Sequence, residues 1–234
     1  MKVLFKIAFI LFALLVVSCS SENDSGTEII QPKNYKYLAL GDSYTIGESV
    51  CQTCRFPIQL QDSIKKHITA NDTFQTQVIA QTGWTTTHLK TAIATQNPTN
   101  DFDLVTLLIG VNNQYQNQPF SVYEQEFPEL VSIAIQKAKG KKENVIVVSI
   151  PDYAYTPFGN GNATISSQLD NYNAFAQNYC LANNITFINI TDITRLGLQQ
   201  PYLVASDGLH PSTIAYTKFV ERILPKAKMK LEIY

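Results

Sequence analysis

Histidine, methionine and clustered positive charge are scarce in this sequence, and each scarcity removes a class of function. Three histidines and two methionines among 234 residues leave few ligands for a metal centre or a redox site. With 18 basic and 19 acidic side chains and no basic block, the chain lacks the electrostatic footprint of a nucleic-acid binder, and no nucleic-acid partner is expected. Its longest apolar stretch is shorter than the ~20 residues of a comfortable membrane span. No internal repeat occurs, and no low-complexity block beyond a short polar stretch near the N-terminus. What remains is the composition of a globular domain, 45% hydrophobic and 16% charged. A domain of about 200 residues buries roughly 70% of its extended-chain surface, enough for a self-sufficient core.

The N-terminus reads as a targeting segment. Lys2 and Lys6 give it a positive start, and Leu4 to Val17 is apolar apart from Lys6. The run ends in Val16-Val17-Ser18-Cys19, which resembles the lipobox of bacterial lipoproteins, where the cysteine takes a diacylglycerol and becomes the new first residue. Residues 1–18 are therefore expected to be a lipoprotein signal peptide and Cys19 a lipidation site. The protein would then be exported and membrane-anchored, on the periplasmic face or the cell surface. Loss of Lys2 and Lys6 would take the formal charge from -1 to about -3. Ser20 to Gly26 is polar and aperiodic, so 19–33 reads as a flexible tether and 34–234 as the folded domain.

Export changes the reading of Cys51-Gln52-Thr53-Cys54. In a reducing compartment this spacing suggests redox or zinc chemistry. Outside it, a disulfide between Cys51 and Cys54 is the first reading, with a thiol pair and a structural metal as alternatives. No second cysteine pair or histidine cluster completes a zinc site. Cys180 falls in a helical pattern and reads as a small buried hydrophobe.

Strands and helices alternate along the rest of the chain. Strand-like runs cover Tyr35 to Leu40, Phe74 to Ala80, Leu104 to Ile109, Val145 to Ile150 and Thr186 to Ile190. The third and fourth are nearly continuous apolar residues, as expected of parallel strands buried on both faces. Helix-like segments lie near Phe56 to Ile68, Thr86 to Ala94, Ser121 to Lys139, Ser166 to Asn183 and Ser212 to Met229. The expected fold is α/β, a doubly wound, mostly parallel five-stranded sheet with helices on both faces. In such sheets ligands bind beyond the carboxyl ends of the strands. Each unusual polar cluster does follow a strand: Gly41-Asp42-Ser43-Tyr44, Thr82-Gly83-Trp84, Gly110-Val111-Asn112-Asn113, Asp152-Tyr153, and the segment from Thr191 to His210. All five loops should emerge on one edge.

An acyl-transferring serine needs a base, a group that orients the base, and donors for a developing oxyanion. Ser43 sits at a strand-to-helix turn, although Gly41-Asp42-Ser43-Tyr44-Thr45 does not fit the G-x-S-x-G elbow. Asp207-Gly208-Leu209-His210 offers base and orienter in one short loop, with Asp207 able to hold one imidazole nitrogen while the other faces Ser43. In order, Gly41-Asp42-Ser43, Gly83, Gly110-Val111-Asn112-Asn113 and Asp207-Gly208-Leu209-His210 resemble the four blocks of the SGNH hydrolases, also called GDSL esterases and lipases. The resemblance runs from Tyr35 to the end of the last helix. It implies a three-layer α/β/α, flavodoxin-like fold with strand order 2-1-3-4-5. It also implies Ser43 as nucleophile, His210 as base and then acid, and Asp207 as orienter. The oxyanion hole would be the N–H groups of Ser43 and Gly83 with the Asn112 amide. The third block departs from the family's usual Gly-x-Asn-Asp, since Asn113 stands where the second carboxylate is expected; an amide can hold a loop but supplies no charge.

The implied activity is carboxylic ester hydrolysis through an acyl-enzyme, with no metal or organic cofactor. The substrate stays open between acetylated carbohydrate and lipid or lysophospholipid ester. A non-catalytic glycan- or lipid-binding lipoprotein and an acyltransferase using the same triad are the alternatives, and a monomer is expected. His67 and His88 read as surface residues. Trp84, Tyr115, Tyr153, Tyr155 and Phe158 sit on the loops expected at the cleft, either lining it or packing the loops.

Overall fold

Unbroken apolar runs fix the centre of the sheet. In the computed structural model, which describes residues 31–233, strands β3 (Leu104–Leu108) and β4 (Val145–Val148) bury every residue, so both faces must be covered. Strand β1 (Asn34–Gly41) lies parallel between β3 and β2 (Thr73–Ala80), and β5 (Thr186–Ile188) pairs with β4. The order is β2-β1-β3-β4-β5, all parallel. Edge strand β2 buries only Phe74 and Ile79 and exposes Thr73, Gln75 and Gln77. Cys19, the expected signal peptide and most of the expected tether lie outside the described residues. No described helix is long and apolar enough to cross a membrane.

The longer helices flank this sheet. Helices α2 (Phe56–Lys65) and α8 (Thr213–Lys230) pack against each other, while α3 (Thr86–Gln96), α5 (Phe120–Lys137) and α6 (Ala163–Ala182) pack in series. Helix α8 presents Tyr216, Phe219, Val220 and Ile223 as one buried stripe, the spacing of a helix with one face on the core. Between α5 and α6 the apolar contact is aromatic: Tyr123 lies 4.6 Å from Tyr172, and Phe120 4.8 Å from the same ring. Short helices α1 (Ser43–Ile46), α4 (Val111–Tyr115) and α7 (Thr191–Thr194) follow β1, β3 and β5.

Strands β4 and β5 stop two residues before their apolar runs do. Side chains take over the bonding there: Ile190 N donates to Ser149 Oγ at 2.8 Å, and Ser149 Oγ pairs with Asn189 Oδ1 at 3.1 Å. This releases the chain from the ladder and aims the following loops across the strand ends. His67 lies just beyond α2 and is exposed. Cys180 is fully buried in α6.

Candidate active site

Ser43 owes its position to a close approach. At Gly41 a Cβ would stand 2.1 Å from Thr45 Oγ1 and 2.4 Å from the Leu108 carbonyl, so only glycine lets β1 turn directly into α1 beside β3. Asp42 then caps α1, its Oδ1 accepting from Tyr44 N at 3.0 Å. Burial raises the Asp42 carboxyl to about 7, against lowering by the backbone N–H groups around it. Its Oδ2 has no hydrogen-bond partner among the described residues. Ser43, first residue of α1, is left at the carboxyl edge of the sheet.

The opposing loop is held as a small clasp. Ala205 N donates to the His210 carbonyl at 2.7 Å, Ser212 N to the Leu203 carbonyl at 2.9 Å, and Val204 bridges Pro211. Gly208 takes a left-handed φ of 72°, which folds Asp207 back onto the chain that follows. Asp207 Oδ1 accepts from Leu209 N at 2.9 Å and His210 N at 3.0 Å, and Oδ2 meets His210 Nδ1 at 2.5 Å. With Nδ1 engaged, Nε2 is the nitrogen left free to act as a base.

The Asp207 carboxylate has a further partner that the sequence did not reveal. Ser49 Oγ donates to Oδ2 at 2.6 Å across a separation of 158 residues. Burial alone would raise the Asp207 carboxyl, but the bonds from Ser49, His210 and two backbone N–H groups outweigh it and hold it well below the usual range. Ser49 reaches this position through a left-handed φ of 64°, a strained conformation for a residue with a side chain. Its neighbour Glu48 accepts from Thr82 Oγ1, next to Gly83. The bend between α1 and the disulfide Cys51–Cys54 therefore touches both the histidine clasp and the Gly83 loop.

Four of the residues expected to form the triad and oxyanion hole face one cavity of about 170 Å³: Ser43, Gly83, Asn112 and His210, with Tyr115, Tyr153 and Leu209 among its walls. Ser43 and His210 share that cavity without a hydrogen bond between them; such contacts commonly tighten only when substrate binds. Gly83 has open space around its Cβ position but a φ of 84°, so backbone conformation is what calls for glycine there. Asn112 Nδ2 donates to the Trp84 carbonyl at 3.0 Å, which orients the amide and leaves its second hydrogen unspent.

Asn113 does not face the cavity. It is fully buried and ties two loops together, its Oδ1 accepting from Thr86 N at 3.0 Å while Nδ2 donates to Thr86 Oγ1 at 2.7 Å and to Gln118 Oε1 at 3.0 Å. The carboxylate of this network is Glu126 on α5, which accepts from Thr86 Oγ1 at 2.5 Å and Thr87 Oγ1 at 2.8 Å. Negative charge thus sits one hydroxyl away from the position where an aspartate was expected.

Of the loop aromatics, Tyr115 and Tyr153 line the cavity, and Phe158 packs against both at 6.2 and 6.3 Å. Trp84 packs on the core instead, and neither it nor Tyr155 faces the cavity. His88 caps α3 by receiving Thr85 N on its Nδ1 at 3.3 Å. Asp152 is buried and fixes the loop after β4, accepting from Arg195 Nε at 3.0 Å and Ser166 Oγ at 2.6 Å. Among the described residues no cluster of three or more His, Cys, Asp or Glu side chains is arranged to hold a metal ion.

The model of the GDSL-like lipase/acylhydrolase family matches residues 39–218. No match is found among curated proteins. Among solved structures the chain is similar to a member of the lipolytic G-D-S-L family from Veillonella parvula, with TM-score 0.63, 16% identity, and coverage of 82% of this chain and 97% of that one. A lipase/acylhydrolase from Enterococcus faecalis gives 0.62 and 18%, covering 86% and 97%. An acetylxylan esterase from Geobacillus stearothermophilus gives 0.61 and 16%, covering 84% and 95%. At these identities the likeness is one of fold.

Proposed function

Because the chain belongs to the GDSL-like lipase/acylhydrolase family, it is an ester-bond hydrolase, and we propose that Ser43, His210 and Asp207 carry its reaction on esters of short acyl groups. The observation that carries this reading is the 2.5 Å contact between Asp207 and His210 Nδ1, beside a cavity that Ser43, Gly83 and Asn112 also line. Ser43 Oγ attacks the ester carbonyl carbon while His210 Nε2 takes the hydroxyl proton. The carbonyl oxygen becomes an anion facing the N–H groups of Ser43 and Gly83 and the Asn112 amide. Collapse of this tetrahedral species breaks the bond to the alcohol, which leaves with the proton held by His210. Water, deprotonated by the same imidazole, then attacks the acyl-enzyme, and the free acid departs as Ser43 regains its proton.

The limit on acyl length comes from volume. Pockets that enclose drug-sized ligands run to ~300–1,000 Å³, and this one is about 170 Å³. A chromogenic acetate ester should therefore be turned over faster than its octanoate, and Ser43→Ala should abolish both turnover and labelling by a fluorophosphonate. Asn112→Ala should lower kcat by roughly 10²–10³. Labelling that persists in Ser43→Ala refutes the assignment. The reading extends to location through the Val16–Cys19 pattern: Cys19 carries a lipid anchor, so Cys19→Ala should move the protein from the membrane fraction to the soluble one.

A further inference from the structure

A second and larger cavity lies between the α4–α5 connection and α6, with a volume of about 530 Å³. Five carboxamides line it: Gln114, Asn117, Gln118, Gln168 and Asn171. None of the residues lining it is charged, and its apolar parts are mainly the aromatic side chains Phe120, Tyr172 and Phe175. Surfaces built to hold phosphates or carboxylates present Arg or Lys, and acyl chains call for continuous apolar walls. A carboxamide offers a donor and an acceptor together, the pairing that a sugar hydroxyl, itself both, can answer.

The amides are pre-set. Gln114 accepts from Tyr153 Oη at 2.8 Å and donates to Gln168 Oε1 at 2.7 Å, and Gln118 Oε1 is engaged by Asn113. These bonds leave the Gln168 and Gln118 NH2 groups uncommitted. The Asn117 and Asn171 side chains have no hydrogen-bond partner among the described residues. The groove also shares a wall with the cavity at Ser43. Helix α4 contributes Asn112 and Tyr115 to one and Gln114 to the other, and Tyr153 lines the first while bonding Gln114 in the second. At this boundary Tyr115 is 51% exposed, its ring 6.1 Å from Tyr153, an aromatic face of the kind on which a sugar ring can lie.

We propose that this groove is a binding subsite for a neutral glycan chain, and that the esters cleaved at Ser43 are acyl groups carried on that chain. The proposal rests on the esterase reading above for its second half only; glycan binding by the groove stands apart from catalysis. Both halves are testable with the full chain. In calorimetry, the non-hydrolysing Ser43→Ala protein is titrated with xylohexaose, cellohexaose, mannohexaose and N-acetylated chitohexaose, none carrying O-acyl groups, and with polygalacturonate as an anionic control. At least one neutral hexaose should bind, and Gln168→Ala and Asn171→Asp, each added to Ser43→Ala, should weaken it at least tenfold. Both positions are exposed on α6, and circular dichroism checks that each variant is folded.

For the coupling, kcat/KM on the acetylated form of the bound hexaose should exceed that on the acetylated monosaccharide at least tenfold, and Asn171→Asp should reduce the ratio towards one. Binding of none of the four neutral chains, tighter binding of polygalacturonate, or a length ratio near one in the active protein overturns the proposal. A protein that binds hexaose through Gln168 and Asn171 but is not labelled by fluorophosphonate overturns the esterase assignment and with it the second half. One that is labelled but binds no glycan overturns the subsite and leaves the esterase assignment standing.

Discussion

Removing the Ser49 hydroxyl tests how Asp207 is held. Hydrogen bonds to a charged group contribute ~1.5–3 kcal/mol, but the Asp207 side chain is 29% exposed and keeps three other donors, so water recovers part of the loss. Ser49→Ala should therefore cost about 1 kcal/mol in stability and, if the same carboxylate orients His210, about fivefold in kcat/KM. Ser49→Gly separates the two effects. Relief of the left-handed backbone should return ~1 kcal/mol, yet the hydroxyl is still missing, so the stability of Ser49→Gly should approach wild type while its kcat/KM stays low. The pH dependence follows from the depressed Asp207 carboxyl. A group lowered by folding stabilises above its unfolded value near 4 and loses that contribution as pH falls. At pH 3 the folded carboxylate is still ionised in wild type and, with three donors left to it, in Ser49→Ala. Both proteins therefore lose stability together below pH 4, and the gap between them in urea unfolding should stay nearly constant from pH 7 to pH 3. Wild-type kcat/KM in Ser49→Gly, or a stability gap that closes by pH 3, would refute the reasoning.

Two further substitutions probe buried charge. Asn113→Asp should destabilise the protein by roughly 2–4 kcal/mol at pH 7, since an aspartate cannot donate to Thr86 Oγ1 or Gln118 and faces Glu126 across one hydroxyl. Adding Glu126→Gln should recover more than half of that in urea titrations, and additivity in this double-mutant cycle would sink the idea. Asp42 is raised by burial to about 7, so the folded state holds its proton longer than the unfolded one and stability should fall between pH 4 and 7. Asp42→Asn should flatten that slope, gaining on wild type by up to roughly 4 kcal/mol across the interval; parallel slopes would show that Asp42 does not titrate there.

What could be read in advance was whatever is local. Continuous apolar runs identified β3 and β4, and Asp207 with His210 stand three residues apart in a single turn, so their pairing needs no tertiary information. The run of apolar residues misled at its ends, because Ser149 and Asn189 take over the ladder bonding in a way hydropathy does not register. Ser49 was invisible for the opposite reason. Its partner is 158 residues away, and a serine between a glutamate and a valine carries no signal of its own. Trp84 and Tyr155 sit on the right loops, yet which way a loop side chain turns depends on packing that only the folded chain defines. Asn113 was rightly singled out as unusual, and its compensation on α5 could not be located without the fold.

The bend at residues 47–50 has one more consequence. Because Glu48 leans on the Gly83 loop while Ser49 leans on Asp207, the proton transfer and anion stabilisation proposed for these two loops would inherit their alignment from the same short stretch of backbone. A shift there would detune both halves of the reaction together, so lengthening this bend by a single residue should be far more damaging than an equal insertion in the exposed turn at 139–141.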